Sequence, residues 1–416
     1  MIRGKHAILD LPLLFLIAEI AMPWIMGGEG FETRQHIRIL YFSSMFTLFL
    51  FAVHFKLFDK RQFVYTATTL FFLVLVLTTS TEVFESFKKW LKIAPALLAF
   101  PVYNQYFSRR PHMLKGFYYR LVLYNTIFVL SMVVSSILRI GTGWGYGNNR
   151  FVFLVGYNIW ALYSVIYSVT LSLFLSQMNK NRMLSIILWA QAIALGIILL
   201  LIFKRMLIVT YLLGIYFYLL TTLNMDKRKY LYLSFVIVGL IIAYQYSQEL
   251  LHSLALGRQR IFELQNYAEE GRALELINYF KYWIQEEKAV DILFGRDFFR
   301  SGFNEFEAIT LASGDRGRII HSDLANLLYT TGLVGTIMFI ALLKKSLGYA
   351  KKALYKSSMT KNAFTYVLLA ISLNLFSEGL DIGQNYFMPL AMIGAICGAI
   401  SSSGFTSKKY KENTYV

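Results

Sequence analysis

The chain is 416 residues long and 56% hydrophobic, with 16% charged residues and a net charge of +17. Its mean hydropathy of +0.51 excludes an ordinary soluble domain and points to a multi-span membrane protein. The basic residues cluster in short segments between apolar runs and not on one soluble face, so nucleic acid is excluded as a partner.

The apolar runs are roughly 17–25 residues long, the length of a bilayer-crossing helix and too long for the alternating strands of a barrel. In chain order they predict twelve spans, over about 7–26, 38–56, 63–80, 90–107, 117–138, 151–175, 183–203, 206–224, 230–248, 322–343, 362–380 and 385–403. The first is expected to be a retained helix, since no small-residue cleavage site follows it. The fourth is interrupted by Pro95 and Pro101, and the pair 183–203 and 206–224 is separated only by a tight turn. The glycine-rich GTGWGYGNN over 141–149 lacks the strand–helix context of a dinucleotide site and reads as a short loop. The single cysteine, Cys397, lies inside the last run, which leaves no intramolecular disulfide and no cysteine metal site.

With the N-terminus in the cytoplasm, the inward-facing segments carry 22 Lys and Arg and the short outward loops carry 7. This asymmetry agrees with an even number of spans and puts both termini inside. The chain then divides into nine spans over 1–248, an external loop over 249–320, and three spans with a basic cytoplasmic tail over 321–416. The loop is the exception to the otherwise tight outside turns, and loops of that length are usually functional or disordered. Within it, RALELINYFKYWIQEEK places Leu274, Ile277, Phe280, Trp283 and Ile284 on one helical face. The pattern predicts an amphipathic helix lying on the membrane or capping the bundle.

Three external residues carry chemistry. Arg205 sits in the tight turn FKRM, Arg272 opens the amphipathic helix, and His321 precedes the tenth span. One arginine at a span end serves equally well as a headgroup anchor. Two near a histidine offer more, because each guanidinium is a permanently charged planar fork that matches phosphate oxygens in paired hydrogen bonds. A neutral imidazole can accept the proton of an attacking hydroxyl, or can simply bond a backbone carbonyl at a helix start. Ser322 or Asp323 is the expected N-cap of the helix that follows. Gly332 and Gly335 read as positions of close helix packing. Arg258, Arg260, Arg316 and Arg318 are further candidates for phosphate or sugar contacts, and Glu378 and Asp381 for sugar hydroxyls. No metal is expected: there is no Asp-x-Asp pair, no His-x-x-x-His, and Glu305 and Glu307 are a weak pair. Neither a P-loop nor a G-x-S-x-G elbow is present.

The order of these features resembles the O-antigen ligase and O-antigen polymerase superfamily. The resemblance rests on FKRMLIVTYLLG with Arg205, on RALELINYFKYWIQEEKAVDILFGRDFF with Arg272 at its head and Leu293, Phe294 and Gly295 near its close, and on HSDLANLLYTTGLVG with His321. It covers about 190–345 by motif and the rest by topology. Ser322 stands where many relatives have Asn, and Lys204 where Ser is usual. The resemblance implies an all-α integral membrane protein of the C-type glycosyltransferase kind, in a bacterial cytoplasmic membrane. It would be a metal-independent, inverting enzyme without cofactor, whose donor is a glycan on undecaprenyl diphosphate. Arg205 and Arg272 would hold the diphosphate, and His321 would activate the acceptor hydroxyl. The acceptor would be a new lipid-linked repeat unit in a polymerase of O-antigen or capsule, or a lipid A core sugar in a ligase. A flippase and a chain-length regulator would be its partners. A transporter of the same lipid-linked sugars is a third reading, and its deep ionisable residues would be Asp10 and Glu19.

Overall fold

A computed structural model describes Leu9 and residues 63–144, 152–154, 158–179, 181–202, 205–223, 288–296, 298, 323–376 and 384–402. Their helices, in chain order, are α1 (Phe63–Thr79), α2 (Val83–Arg109), α3 (Met113–Leu138), α4 (Asn158–Asn179), α5 (Arg182–Ile202) and α6 (Arg205–Thr222). There follow the short α7 (Ala289–Phe294) and then α8 (Asp323–Leu354), α9 (Ser358–Phe376) and α10 (Gln384–Ser402). Among the described residues, α3, α5 and α8 are long and apolar enough to cross a membrane, and shorter apolar helices accompany them. The architecture is compatible with an all-α membrane protein. The expected spans at 7–26, 38–56 and 230–248 and the amphipathic helix lie outside the described residues, save Leu9.

The outward faces suit lipid. On α3, Leu123, Ile127, Leu130, Val134 and Ile137 recur every three or four residues and are exposed, as are Ile186, Ile193, Ile197 and Leu200 on α5. Such continuous apolar stripes would be a liability in water and are the expected surface in a bilayer. The interior is the more polar side. Tyr65, Tyr103, Tyr106, Tyr118, Tyr124, Tyr167, Tyr366 and Tyr386 are all fully buried.

Hydrogen bonds between helices join this interior, as expected where burial of apolar surface no longer separates helix from lipid. Gln191 Nε2 on α5 donates to Thr126 Oγ1 on α3 at 2.6 Å, and Tyr211 on α6 donates to the Ala192 carbonyl at 2.6 Å. Gln177 Nε2 on α4 donates to the Tyr218 hydroxyl at 2.6 Å. Thr170 on α4 bonds Tyr366 on α9 at 2.9 Å, and Gly214 on α6 lies against both of them.

At the centre, α10 packs along α2. Gly394 lies against the Phe100 carbonyl and Gly398 against the Asn104 carbonyl, so two glycines four residues apart let the backbones touch. The expected interruption at Pro95 and Pro101 does not occur: α2 runs unbroken through both. Both prolines are buried, and neighbouring helices commonly accommodate proline inside a membrane bundle.

The segment before α4 is also corrected. The glycine-rich stretch is not a plain loop, and the sixth span does not begin at 151. Thr142–Trp144 (β1) and Val152–Leu154 (β2) pair antiparallel, with Gly143 opposite Phe153, and the helix starts only at Asn158. Ser136 Oγ on α3 accepts the Phe153 N–H at 3.1 Å, which ties the hairpin to the end of α3. The β-branched Val152 and aromatic Phe153 pair as part of a strand there.

Candidate functional site

The described helices place several chemistry-bearing positions at one end of the bundle. Gly214 and Thr170 mark where α6 crosses α4 and α9. From that crossing α6 runs back about nine residues, roughly 13 Å of helix, to its first residue, Arg205. In the other direction α9 runs on from Tyr366 to Asn374, about two turns beyond the crossing and towards the same end. Asn374 Nδ2 donates to the Tyr167 hydroxyl at 2.8 Å, and both groups are fully buried.

At this end α8 begins with Asp323, a carboxylate only 3% exposed. Its Oδ2 accepts the Tyr386 hydroxyl of α10 at 2.8 Å. Tyr163 and Tyr167 of α4 stand within electrostatic range of that hydroxyl. Asp323 is therefore held by a tyrosine-lined interior and not by open solvent. A buried carboxyl group with its hydrogen-bond partner in place is a fixed polar group at the start of the helix.

About two and a half turns deeper, α8 is broken. Gly332 adopts φ 63° and ψ −172°, a conformation essentially confined to glycine, and Gly295 adopts φ 72° and ψ −178°. The two glycines face each other. A Cβ on Gly332 would overlap the Leu293 carbonyl and lie 2.5 Å from the Phe294 nitrogen. One on Gly295 would lie 2.5 Å from the Thr331 nitrogen and 2.6 Å from that of Gly332. The end of α7 is thus docked backbone to backbone into the break in α8. The Arg296 N–H completes the joint, donating to the Tyr329 carbonyl at 3.0 Å. Arg296 also pairs with Asp291 at 2.9 Å, which closes the turn after α7. Beyond it, Phe298 is fully buried edge-on to Phe72 of α1, with ring centroids 5.5 Å apart.

The joint revises the expectation for Gly332. This glycine does not ease packing between two spans; it interrupts its own helix where the end of α7 docks. Gly335 lies just after the break, against the Thr331 side chain and Phe71. The sequence reading also passed over Asp323 as more than a cap, and over Tyr386, Asn374 and Tyr167. Their only signal was polar groups recurring near predicted span ends.

Among the residues predicted to act, Arg205 is the first residue of α6, and its side chain lies outside the described part. His321, Arg272, Arg258, Arg260, Arg316, Arg318, Glu378 and Asp381 lie outside the described residues. In the sequence His321 precedes Asp323 by two positions, and Glu378 follows the last residue of α9 by two. No group of three or more His, Cys, Asp or Glu side chains suited to a metal occurs among the described residues. No family model and no curated protein matches the chain.

Proposed function

We propose that this end of the bundle is the active site of a polyprenyl-diphosphate-dependent glycosyltransferase, which polymerises surface-polysaccharide repeat units. The observation that carries the reading is the convergence at one end of the Arg205 helix start, the Asp323–Tyr386 anchor two residues after His321, and the α7 segment locked into the α8 break. Catalytic groups act best when they hang from rigid elements, and both the anchor and the joint make the α8 start rigid.

In this reading His321 takes the proton of the acceptor hydroxyl as its oxygen attacks the anomeric carbon of the donor. The new glycosidic bond forms on the face opposite the diphosphate, and the anomeric configuration inverts. The carbon–oxygen bond to the diphosphate breaks, and undecaprenyl diphosphate leaves with the electron pair. Arg205 and Arg272 hold that diphosphate and stabilise the charge developing on it. A donor on a polyisoprenyl chain requires a site that opens to lipid at a membrane boundary, and the exposed apolar stripes of the helices provide such a boundary.

The test is a strain lacking this protein, complemented with wild type or His321→Ala. Its surface polysaccharide is resolved on a gel, and its lipid-linked intermediates are weighed. Single repeat units in place of a ladder support the polymerase. Long chains that stay on undecaprenyl diphosphate and never reach the final acceptor make the protein a ligase instead. An unchanged ladder from a well-expressed variant removes His321 from the chemistry and refutes the mechanism.

A further inference from the structure

The end of α7 meets its neighbours far from either end of their apolar stretches. Gly332, which lies against the Leu293 carbonyl and the Phe294 nitrogen, is nine residues after Asp323 and twelve before Lys344. No charged residue stands between those two positions. Phe72, which receives the Phe298 ring, is eleven residues after Arg61 and ten before Glu82, again with no charge between. Nine residues of helix measure roughly 13 Å, close to half of a hydrocarbon core of about 30 Å. Two contacts on two helices thus fall midway along their uncharged stretches.

The surfaces around the contacts agree with that depth. On α1 the exposed stripe Leu70, Val74 and Leu77 continues past Phe72 towards Glu82, so the lipid-facing surface extends beyond the contact. On α8 the first exposed residue is Leu333, next to Gly332, and the stripe runs on through Ile337 and Ile340. α7 therefore docks where α8 starts to face lipid. Its own exposed side chains, Ala289, Val290, Leu293 and Phe294, are all apolar. Its carboxylate, Asp291, is only 22% exposed and is paired with Arg296, as ionised groups at membrane depth commonly are. The non-helical backbone that follows is satisfied by protein. The Gly295 N–H donates to the Asp291 carbonyl at 2.7 Å and the Arg296 N–H to the Tyr329 carbonyl, the condition for irregular backbone inside a bilayer.

We infer that residues 289–298 re-enter the bilayer from the end that holds Asp323, with Val290, Leu293 and Phe294 against the acyl chains of that leaflet. The segment 249–320 is then not wholly a loop outside the membrane, as its sequence predicts. AVDILFG is too short for a span and carries an aspartate, so run length passes over it. The inference draws on packing alone and goes beyond the transferase reading, so either can fail without the other.

The first test uses the wild-type chain in phosphatidylcholine liposomes that carry a photoactivated diazirine at the end of an acyl chain. Parallel samples carry it on the headgroup or as a soluble reagent in the buffer, and adducts are mapped by peptide mass spectrometry. The peptide 288–296 exposes Val290, Leu293 and Phe294 at 63%, 42% and 38%, and α1 exposes Leu70, Val74 and Leu77 at 48%, 51% and 61%. The acyl-chain adduct on 288–296 should therefore come within about twofold of that on the α1 peptide. Stronger labelling from the headgroup than from the acyl chain would leave α7 on the membrane surface and overturn re-entry. Labelling by the soluble reagent alone would place α7 in water, and labelling by none would mean that protein covers it; both overturn the lipid contact. The second test is Leu293→Asp, read by hydrogen–deuterium exchange of 288–296 in liposomes. A carboxylate facing hydrocarbon should lower the docked-to-undocked ratio by roughly 70- to 370-fold. A change under about twofold, as at an exposed position in water, would overturn the inference.

Discussion

Replacing Gly332 with Ala should undock α7 while leaving the bundle folded. At φ 63° and ψ −172° an L-residue carries roughly 1–3 kcal/mol of backbone strain. The new methyl would also overlap the Leu293 carbonyl, which is backbone and cannot swing aside as a side-chain tip would. The strain disappears if α7 leaves, and what opposes its leaving is the Arg296 N–H bond to the Tyr329 carbonyl and the burial of Phe298 against Phe72. The first contributes on the order of 1 kcal/mol and the second about 1.5–3 kcal/mol. The docked-to-undocked ratio should therefore fall by roughly five- to 150-fold. Hydrogen–deuterium exchange reads this directly. A peptide covering 288–296 should lose protection in the variant, while peptides from α2 and α10 exchange as in the wild type. Gly348→Ala is the control: it lies exposed in the same helix with open space where a Cβ would stand, and should be neutral or stabilising by about 0.5–1 kcal/mol. Unchanged protection at 288–296 in Gly332→Ala would refute the backbone-to-backbone joint.

Tyr386→Phe removes the hydroxyl bonded to Asp323 and should lower thermal stability in detergent by about 1.5–3 kcal/mol, because the acceptor is a buried carboxylate. Adding Asp323→Asn should cost less than the sum of the two single changes, and a double-mutant cycle of melting curves checks this. Gly398→Leu should abolish stable assembly, since its side chain would enter the Asn104 backbone; size-exclusion chromatography of the detergent-extracted protein would show aggregate in place of a single peak. Arg205→Lys keeps the charge but loses the paired fork, and in the proposed mechanism should shorten the polysaccharide ladder without lowering protein abundance.

Much of the helical layout was legible in the sequence because apolar run length is a strong signal. The helices α5, α6, α8, α9 and α10 begin within about four residues of the apolar runs expected there, and α8 overshoots only at its end, where its basic last turns leave the apolar pattern. The hairpin at 142–154 was missed because FVFLV reads equally as strand or span by hydropathy, and only its pairing with Thr142–Trp144 decides. The uninterrupted α2 was missed because local proline rules break helices, whereas packing on every side holds this one together. At the site the sequence separated LFG from TTG by some 35 residues and supplied no reason to join them. The joint is a property of two backbones, and a glycine's positive φ leaves no mark beyond the glycine itself. The Asp323–Tyr386 bond spans 63 positions and is equally invisible to periodicity.

The seam between α2 and α10 also sets a schedule for the molecule's making. Most of α2 is buried in the finished bundle, and the backbone surface that receives Gly394 and Gly398 is matched by a helix beginning only at Gln384. Some 275 residues are synthesised after α2 before that partner starts to emerge, roughly 15–55 s at about 5–20 residues per second. Through that interval the core helix has to wait in the membrane beside temporary neighbours, with two prolines in it and its closest contact still unmade. Closure of the bundle is therefore among the last events of synthesis, and a chain truncated before Gln384 would leave the interior of the protein open to lipid.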